Sequence, residues 1–274
     1  MLAALLIHLA LAAIAPAPPA PDAPLPRTAG AAATELQRVD RGIRTALPNW
    51  DAADPGLRKT RAPEDMQLWA LRQQRILIWL RDEPSLRART LSRLPNRLRA
   101  ATAQTLRAMI DLEQLSPKHP PKNHKLRVGP SLPPGKLLGL YRAAQRRFGV
   151  AWNVLAAVNL VESDFNKLQN DSIVGAQGPM QFMPATWAGY GLGGNIHDPH
   201  DAILAAANYL HASGAPASYS RALYSYNQSS LYVDAVLRYA RRIGASRQAF
   251  LTYYSWQVFQ RTPGGRLVRL TGPR

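Results

Sequence analysis

The sequence predicts a mainly α-helical protein that ends in a short β-hairpin. Three observations predict it. Apolar residues recur at helical steps through most of residues 31–115 and 136–243. Proline-rich stretches bracket the first of these segments. A tail of alternating apolar and polar residues folds back around "TPGG" (262–265).

Taken in order, "MLAALLIHLALAAIA" is an apolar run of roughly 15 residues, too short to span a bilayer comfortably. Small residues at Ala13, Ala15 and Ala17 offer A-x-A cleavage sites, and no Lys or Arg precedes the run. The pattern predicts a secretory signal peptide over 1–20, hence export to the cell envelope or beyond, with a proline-rich linker over 21–30.

Residues 31–115 read as a helical module. "MQLWALRQQRILIWL" (66–80) sets Trp69, Ile76, Leu77 and Leu80 on one face with arginines opposite. Pro63, Glu64 and Asp65 supply a start and Pro84 a stop. In "LPNRLRAATAQTLRAMIDLEQL" a stripe of Leu98, Leu106 and Ile110 is interrupted by Thr102, with Ala101 and Met109 beside it. Nothing here carries chemistry. The module is a packing or spacer element, or an arginine-rich surface that rests on an anionic wall.

Residues 116–134 are again proline-rich and read as a linker. Beyond them all ten tyrosines fall between Tyr141 and Tyr254. Helices are expected at about 136–148, 151–163, 201–213, 217–226 and 230–243, with a loop-rich segment at 164–200. Residues 244–274 form a tail that reads as the hairpin.

The chain has no cysteine, which excludes thiol catalysis, thiolate zinc sites and disulfides. Its net charge is +17, shared as +9 on residues 1–130 and +8 on 131–274. Such a balance attracts polyanions: nucleic acid, an acidic membrane or an anionic wall. No DNA-reading helix, zinc finger or RNA-binding sheet motif is present, so nucleic acid is not an expected partner.

Glu162 is the only glutamate after Glu113. On a helix it lies in register with Ala151, Leu155 and Val158, the stripe that faces a core. Desolvation and the negative end of the helix both disfavour its charged form. A carboxyl that keeps its proton near neutrality is what a general acid needs. "NDSIVGAQGPMQFMPATW" then places Gly175 and Gly178 around the polar Gln181, and Trp187 or a nearby tyrosine offers a flat face for a sugar ring. "ALYSYNQSS" brings Tyr224, Tyr226 and Asn227 to a helix end.

"VESDF", "GAQGPMQFMPATW" and "LYSYNQS", in that order, resemble the motif blocks of lytic transglycosylases with a soluble-lytic-transglycosylase (SLT), lysozyme-like domain. The likeness is strongest to the membrane-bound B type and its exported actinobacterial relatives, and it covers about residues 135–243. The resemblance implies a lysozyme-like helical domain with Glu162 as sole catalytic acid/base. It implies cleavage of the MurNAc–GlcNAc bond of peptidoglycan with a 1,6-anhydro product, and neither metal nor organic cofactor. It carries substrate binding onto Ser172, Gln181, Tyr226 and Asn227. Trp187 joins them as a stacking surface, and Ser163 is expected both to bind substrate and to orient the turn after the helix. Ser225 stands where the family usually has alanine, and "QSS" departs from the usual residues of the outer groove.

The expected partners are glycan strands and anionic wall polymers, and no obligatory protein partner is evident. Asp164 and Asp171 are the nearest acids that could act as a second carboxylate, which would make the enzyme a muramidase. A non-catalytic wall-binding protein is the remaining alternative. "HDPHD" (197–201) suggests a metal through His197, His200 and Asp201 but lacks a calcium-loop pattern, so Asp198 and Pro199 read as a helix start.

Overall fold

The computed structural model describes residues 17–116 and 126–273. Most of the expected signal peptide (1–16) and the middle of the second linker (117–125) lie outside the described residues. Among those described, the protein is mainly helical with one antiparallel hairpin, as the sequence predicts.

Four helices come first: α1 (Ala29–Ala53), α2 (Glu64–Asp82), α3 (Pro84–Ser92) and α4 (Asn96–Leu115). The first begins inside the expected linker because the Thr28 hydroxyl accepts the Ala31 N–H and caps it. The linker itself is held down. Arg72 and Arg75 of α2 donate to the carbonyls of Pro21, Ala23 and Pro24. Trp69, Ile76, Leu77 and Leu80 are buried as expected, but so is Arg72, which pairs with Glu35 at 2.9 Å. α1 lies against α2 at Gly42, where a Cβ would fall 2.2 Å from the Trp69 ring.

Pro84 stops α2 but also opens α3, since proline at the first helical position lacks only an N–H that would be unbonded anyway. In α4 the buried face is Thr102, Thr105, Leu106 and Ala108, rotated from the expected stripe. Ile110 stays half-exposed. That rotation follows from the partner of α4, the helix Ser230–Ala245, and from Tyr253 in the helix after it, whose hydroxyl meets that of Thr105 at 2.7 Å.

The remaining helices are α5 (Pro134–Phe148), α6 (Trp152–Ser163), α7 (Pro184–Tyr190), α8 (Pro199–Ala212), α9 (Tyr219–Tyr226), α10 (Ser230–Ala245) and α11 (Arg247–Ser255). α6 is the axis of the second half. Every residue from Val154 to Leu160 is buried, between α5, α8 and α10. α10 packs against α6 on one flank and α4 on the other, and α11 lies on α2 and α1, so one apolar core runs through both halves.

Two helices escape the sequence reading. α7 interrupts the loop-rich segment, opened by Pro184 and closed at Gly191. α11 takes the place of the first half of the expected hairpin tail. All of its residues from Ala249 to Ser255 are buried, so alternation could not reveal its period, and Ser246 caps it. The hairpin is correspondingly short: β1 (Phe259–Arg261) pairs with β2 (Leu267–Arg269) in the register Arg261↔Leu267, turning at "TPGG". Residues 127–129 run against the loop after α6, where Val128 bridges Leu168. Among the described residues no helix is long and apolar enough to cross a membrane.

Candidate active site

Glu162 sits in the last turn of α6, and the chain leaves that helix abruptly. Asp164, Phe165 and Asn166 all adopt left-handed backbone, with φ of 52, 58 and 70°. Such geometry costs L-residues roughly 1–2 kcal/mol each. Two features offset it. Phe165 is fully buried against the Phe250 and Tyr254 rings, at 5.7 and 6.0 Å.

The second is a buried polar network. The Tyr141 hydroxyl donates to Asn159 Oδ1 at 2.6 Å. Asn159 Nδ2 donates in turn to Asn166 Oδ1 (2.7 Å), the Pro179 carbonyl (2.9 Å) and Ser163 Oγ (3.1 Å). Ser163 closes it by donating to the Pro179 carbonyl at 2.6 Å and accepting the Asn166 N–H at 3.0 Å. Ser163 is therefore buried and turned inward, so it is not the substrate-binding residue expected from the sequence, because its hydroxyl is taken up by Pro179 and Asn166. It holds the turn after the helix and ties α6 to the Gly178–Pro179 loop.

Glu162 itself is half-buried, and its Oε1 accepts the Tyr232 hydroxyl at 2.6 Å. Burial pushes its carboxyl up to about 7, against the lowering effect of the Tyr232 hydrogen bond. Tyr232 stacks parallel to Tyr226 with centroids 6.4 Å apart, and the Tyr226 hydroxyl donates to the Met180 carbonyl at 2.6 Å. Both phenols are held neutral, first by burial and then by the Glu162 charge. Tyr232 escaped the sequence reading, because one tyrosine among the buried residues of an amphipathic helix looks like core.

The other expected residues make no hydrogen bond to Glu162 or Tyr232, and none of Ser172, Gln181, Trp187 and Asn227 lines the cleft that Glu162 borders. Gln181 is itself left-handed (φ 49°), and its amide donates to the carbonyls of Gly178 (2.9 Å) and Asn170 (3.2 Å). Gly178 can only be glycine: φ is 72° and a Cβ would lie 1.9 Å from the Ile196 carbonyl oxygen. The Ser172 hydroxyl accepts the Ala176 N–H at 2.9 Å and closes the turn before that loop. Trp187 is half-buried with its ring edge-on to Phe182 at 5.4 Å, and Phe182 packs on Tyr226 at 5.8 Å. Asn227 is exposed at the end of α9. Ile173, Val174, Met183, Leu192 and Tyr224, in these same segments, are exposed apolar residues, a composition that suits the apolar faces of sugar rings.

The two acids considered as second carboxylates are placed differently. Asp164 borders the same cleft as Glu162 but faces Lys167, 3.7 Å away. Burial raises its carboxyl and Lys167 works against that rise. Lys167 also donates to the Tyr254 carbonyl at 2.6 Å and to that of Trp256, so the pair anchors the end of α11. Asp171 is exposed in the loop.

Asp198, His200 and Asp201 bring ligand-type atoms within 4.8 Å of one another, and His197 is not among them. Asp198 caps α8 by accepting the His200 and Asp201 N–H groups, and Asp201 accepts the Asn195 N–H at 2.9 Å. These carboxylates act as a helix cap.

A cleft of about 420 Å³ opens beside Glu162. Leu160, Asp164 and Leu168 form one side. Met109 and Leu112 of α4, Trp256 after α11 and Phe259 of β1 form the other.

Residues 139–247 match the family model of the Transglycosylase SLT domain. The chain carries an SLT domain. No curated protein and no solved structure matches the chain significantly. An SLT domain marks a lysozyme-like, glycan-cleaving enzyme of the lytic-transglycosylase type, with peptidoglycan as its substrate. The match begins within α5 and ends where α11 starts. The SLT domain thus supplies Glu162, Tyr226 and Tyr232, whereas α4 and the C-terminal hairpin, both outside the match, add lining residues to the cleft that Glu162 borders.

Proposed function

We propose that the protein is an exported peptidoglycan lytic transglycosylase, related to the membrane-bound B type, in which Glu162 is the only acid/base. The observation that carries this reading is a half-buried glutamate, raised to about 7, whose one hydrogen bond comes from a neutral tyrosine. As the neutral acid, Glu162 protonates the glycosidic oxygen between N-acetylmuramic acid and N-acetylglucosamine. The N-acetyl group of the substrate stabilises the oxocarbenium ion that develops. Glu162, now a carboxylate, takes the proton of the muramyl C6 hydroxyl as that oxygen bonds to C1 and closes the 1,6-anhydro ring. The enzyme ends protonated and no water is consumed. The Lys167 partner of Asp164 weighs against that residue serving as a nucleophile. Export rests on the apolar N-terminal run and its small-residue cleavage sites.

Mass spectrometry of muropeptides released from purified sacculi tests the reaction. The expected products are one water lighter than hydrolysed muropeptides. Fully hydrated reducing ends would make the protein a muramidase. Binding to sacculi without release would make it a wall-binding protein.

The Tyr232 contact makes a pH prediction. Activity should fall as pH rises through the Glu162 pKa, because the acid must own its proton. Tyr232→Phe removes the one interaction that lowers this pKa, so the alkaline limb of the kcat/KM profile should move to higher pH. Turnover at the optimum should fall by no more than about tenfold, the worth of one hydrogen bond. A limb that stays in place or moves to lower pH would assign the titration to another group.

A further inference from the structure

A second cavity, of about 460 Å³, lies between α1, the start of α4 and the corner where α10 meets α11. Four arginines line it: Arg41 and Arg44 from α1, Arg97 from the first turn of α4, and Arg242 from the last turn of α10. Asp40 is the one carboxylate in the lining. It is engaged by Arg44 and by Gln248 Nε2, the latter at 3.0 Å. Arg41 and Arg97 are exposed and have no carboxylate partner among the described residues. Arg242 reaches inward, beside the Tyr253 phenol. Its Nε is buried with no hydrogen-bond partner among the described residues, an N–H that costs free energy until an acceptor arrives.

The backbone adds donors. Pro95 offers α4 no capping side chain, so the N–H groups of its first turn lack that acceptor, and Pro95, Arg97 and Leu98 border the cavity. The C-terminal end of α10 also arrives here with the opposite polarity, and Arg242 sits in that last turn to offset it.

We propose that this cavity binds a phosphate group of a phosphodiester-linked polyol or sugar polymer, as a site separate from Glu162. The donors come from three helices and converge from several directions. That suits the tetrahedral oxygens of a phosphate better than the single planar edge of a carboxylate. A polymer is favoured over a lone ion because the basic rim continues along the chain. Arg89, Arg93 and Arg99 are exposed at the α3–α4 corner and bond only to the Arg89 carbonyl or Asn96 where they bond at all. A nucleic acid is disfavoured because the one aromatic ring in the lining, Tyr253, is buried and offers no stacking face to a base. The site would hold the enzyme on an anionic matrix while the SLT cleft works on glycan.

Isothermal titration of the full chain at physiological ionic strength tests this, with a short glycerol-phosphate oligomer as probe and inorganic phosphate as competitor. Wild type should bind the oligomer, and phosphate should displace it. Arg41→Gln with Arg97→Gln should weaken binding at least roughly tenfold, the worth of a lost charge-assisted contact. Both side chains are exposed, so the fold should be unaffected. Arg142→Gln with Arg146→Gln, equally exposed on α5, should change affinity less than about twofold. Four results would overturn the proposal: no binding by wild type, equal loss in both double variants, no loss in the first, or equally tight binding of polyglutamate of matched charge. An oligonucleotide binding as tightly as the polyol phosphate would overturn the choice of polymer. The readout is binding alone, so it stands or falls apart from the chemistry of Glu162.

Discussion

Glu162→Gln should lower turnover on peptidoglycan by roughly 10²–10⁴-fold or more while the protein stays folded. The amide keeps an oxygen for the Tyr232 hydroxyl but has no proton to give. The same substitution should stabilise the protein at alkaline pH, and the sign follows from burial. The carboxyl has an ordinary value of 4.5 and is raised to about 7 in the folded state. Folding therefore takes up a proton between those values. The stability associated with the neutral carboxyl is complete below pH 4.5 and is lost as pH rises through 7. The loss in wild type is at most about 3 kcal/mol, and less to the extent that the half-buried carboxylate recovers water. The variant carries no such titration. Urea denaturation of both proteins at pH 5 and pH 8 should show the variant gaining on wild type at the higher pH. Parallel behaviour would mean that Glu162 is not desolvated, and full activity in the variant would remove it from the mechanism. In the proposed mechanism the site thus trades stability for a proton held in readiness.

The second large effect is expected at Asn159, which is fully buried. Asn159→Leu would leave the Tyr141 hydroxyl without its acceptor and Asn166 Oδ1 without its close donor, while the Pro179 carbonyl would keep only the Ser163 hydroxyl. Each unsatisfied buried group costs about 1–3 kcal/mol, so a loss of about 3–5 kcal/mol is expected. It should appear as a lower urea midpoint with the slope unchanged. Activity should fall as well, because the network holds the left-handed exit of α6 against the Gly178–Pro179 turn. A loss below about 1 kcal/mol would mean that water replaces the amide and that the network does not position the site.

Much of the architecture was legible in the chain. Asp198 with Pro199, and Pro63 with Glu64 and Asp65, marked helix starts that the structure contains, because a side-chain cap in the first and an acidic first turn in the second act on neighbours in sequence. "TPGG" marked the hairpin turn for the same reason. Reading failed where burial is complete. α11 is buried on all sides, so no polar face disclosed a helical period, and its aromatic-rich sequence passed for strand. The rotation of the buried face in α4 depended on which helix it met.

At the site, the identity of Glu162 and its place at the end of an apolar helix could be read directly, as could the loop glycines and Tyr226. Tyr232 and Asn159 could not. Glu162 meets its hydroxyl partner 70 residues further along the chain, and Asn159 earns its importance only from groups as distant as Tyr141 and Pro179.

The division between the two levels is physical. The sequence by itself determined the helical class, the turn chemistry, the missing thiols, the basic charge and the one glutamate after Glu113, at the end of an apolar helix. Each of these depends on residue type or on neighbours a few positions apart. Only the tertiary structure decided the rest: how far Glu162 is stripped of water, which phenol holds it, that Asp164 is tied to Lys167, and that α4 and the hairpin wall a cleft opened by the SLT domain. Desolvation and hydrogen bonding between distant residues depend on what folding brings together, and local pattern carries no record of that.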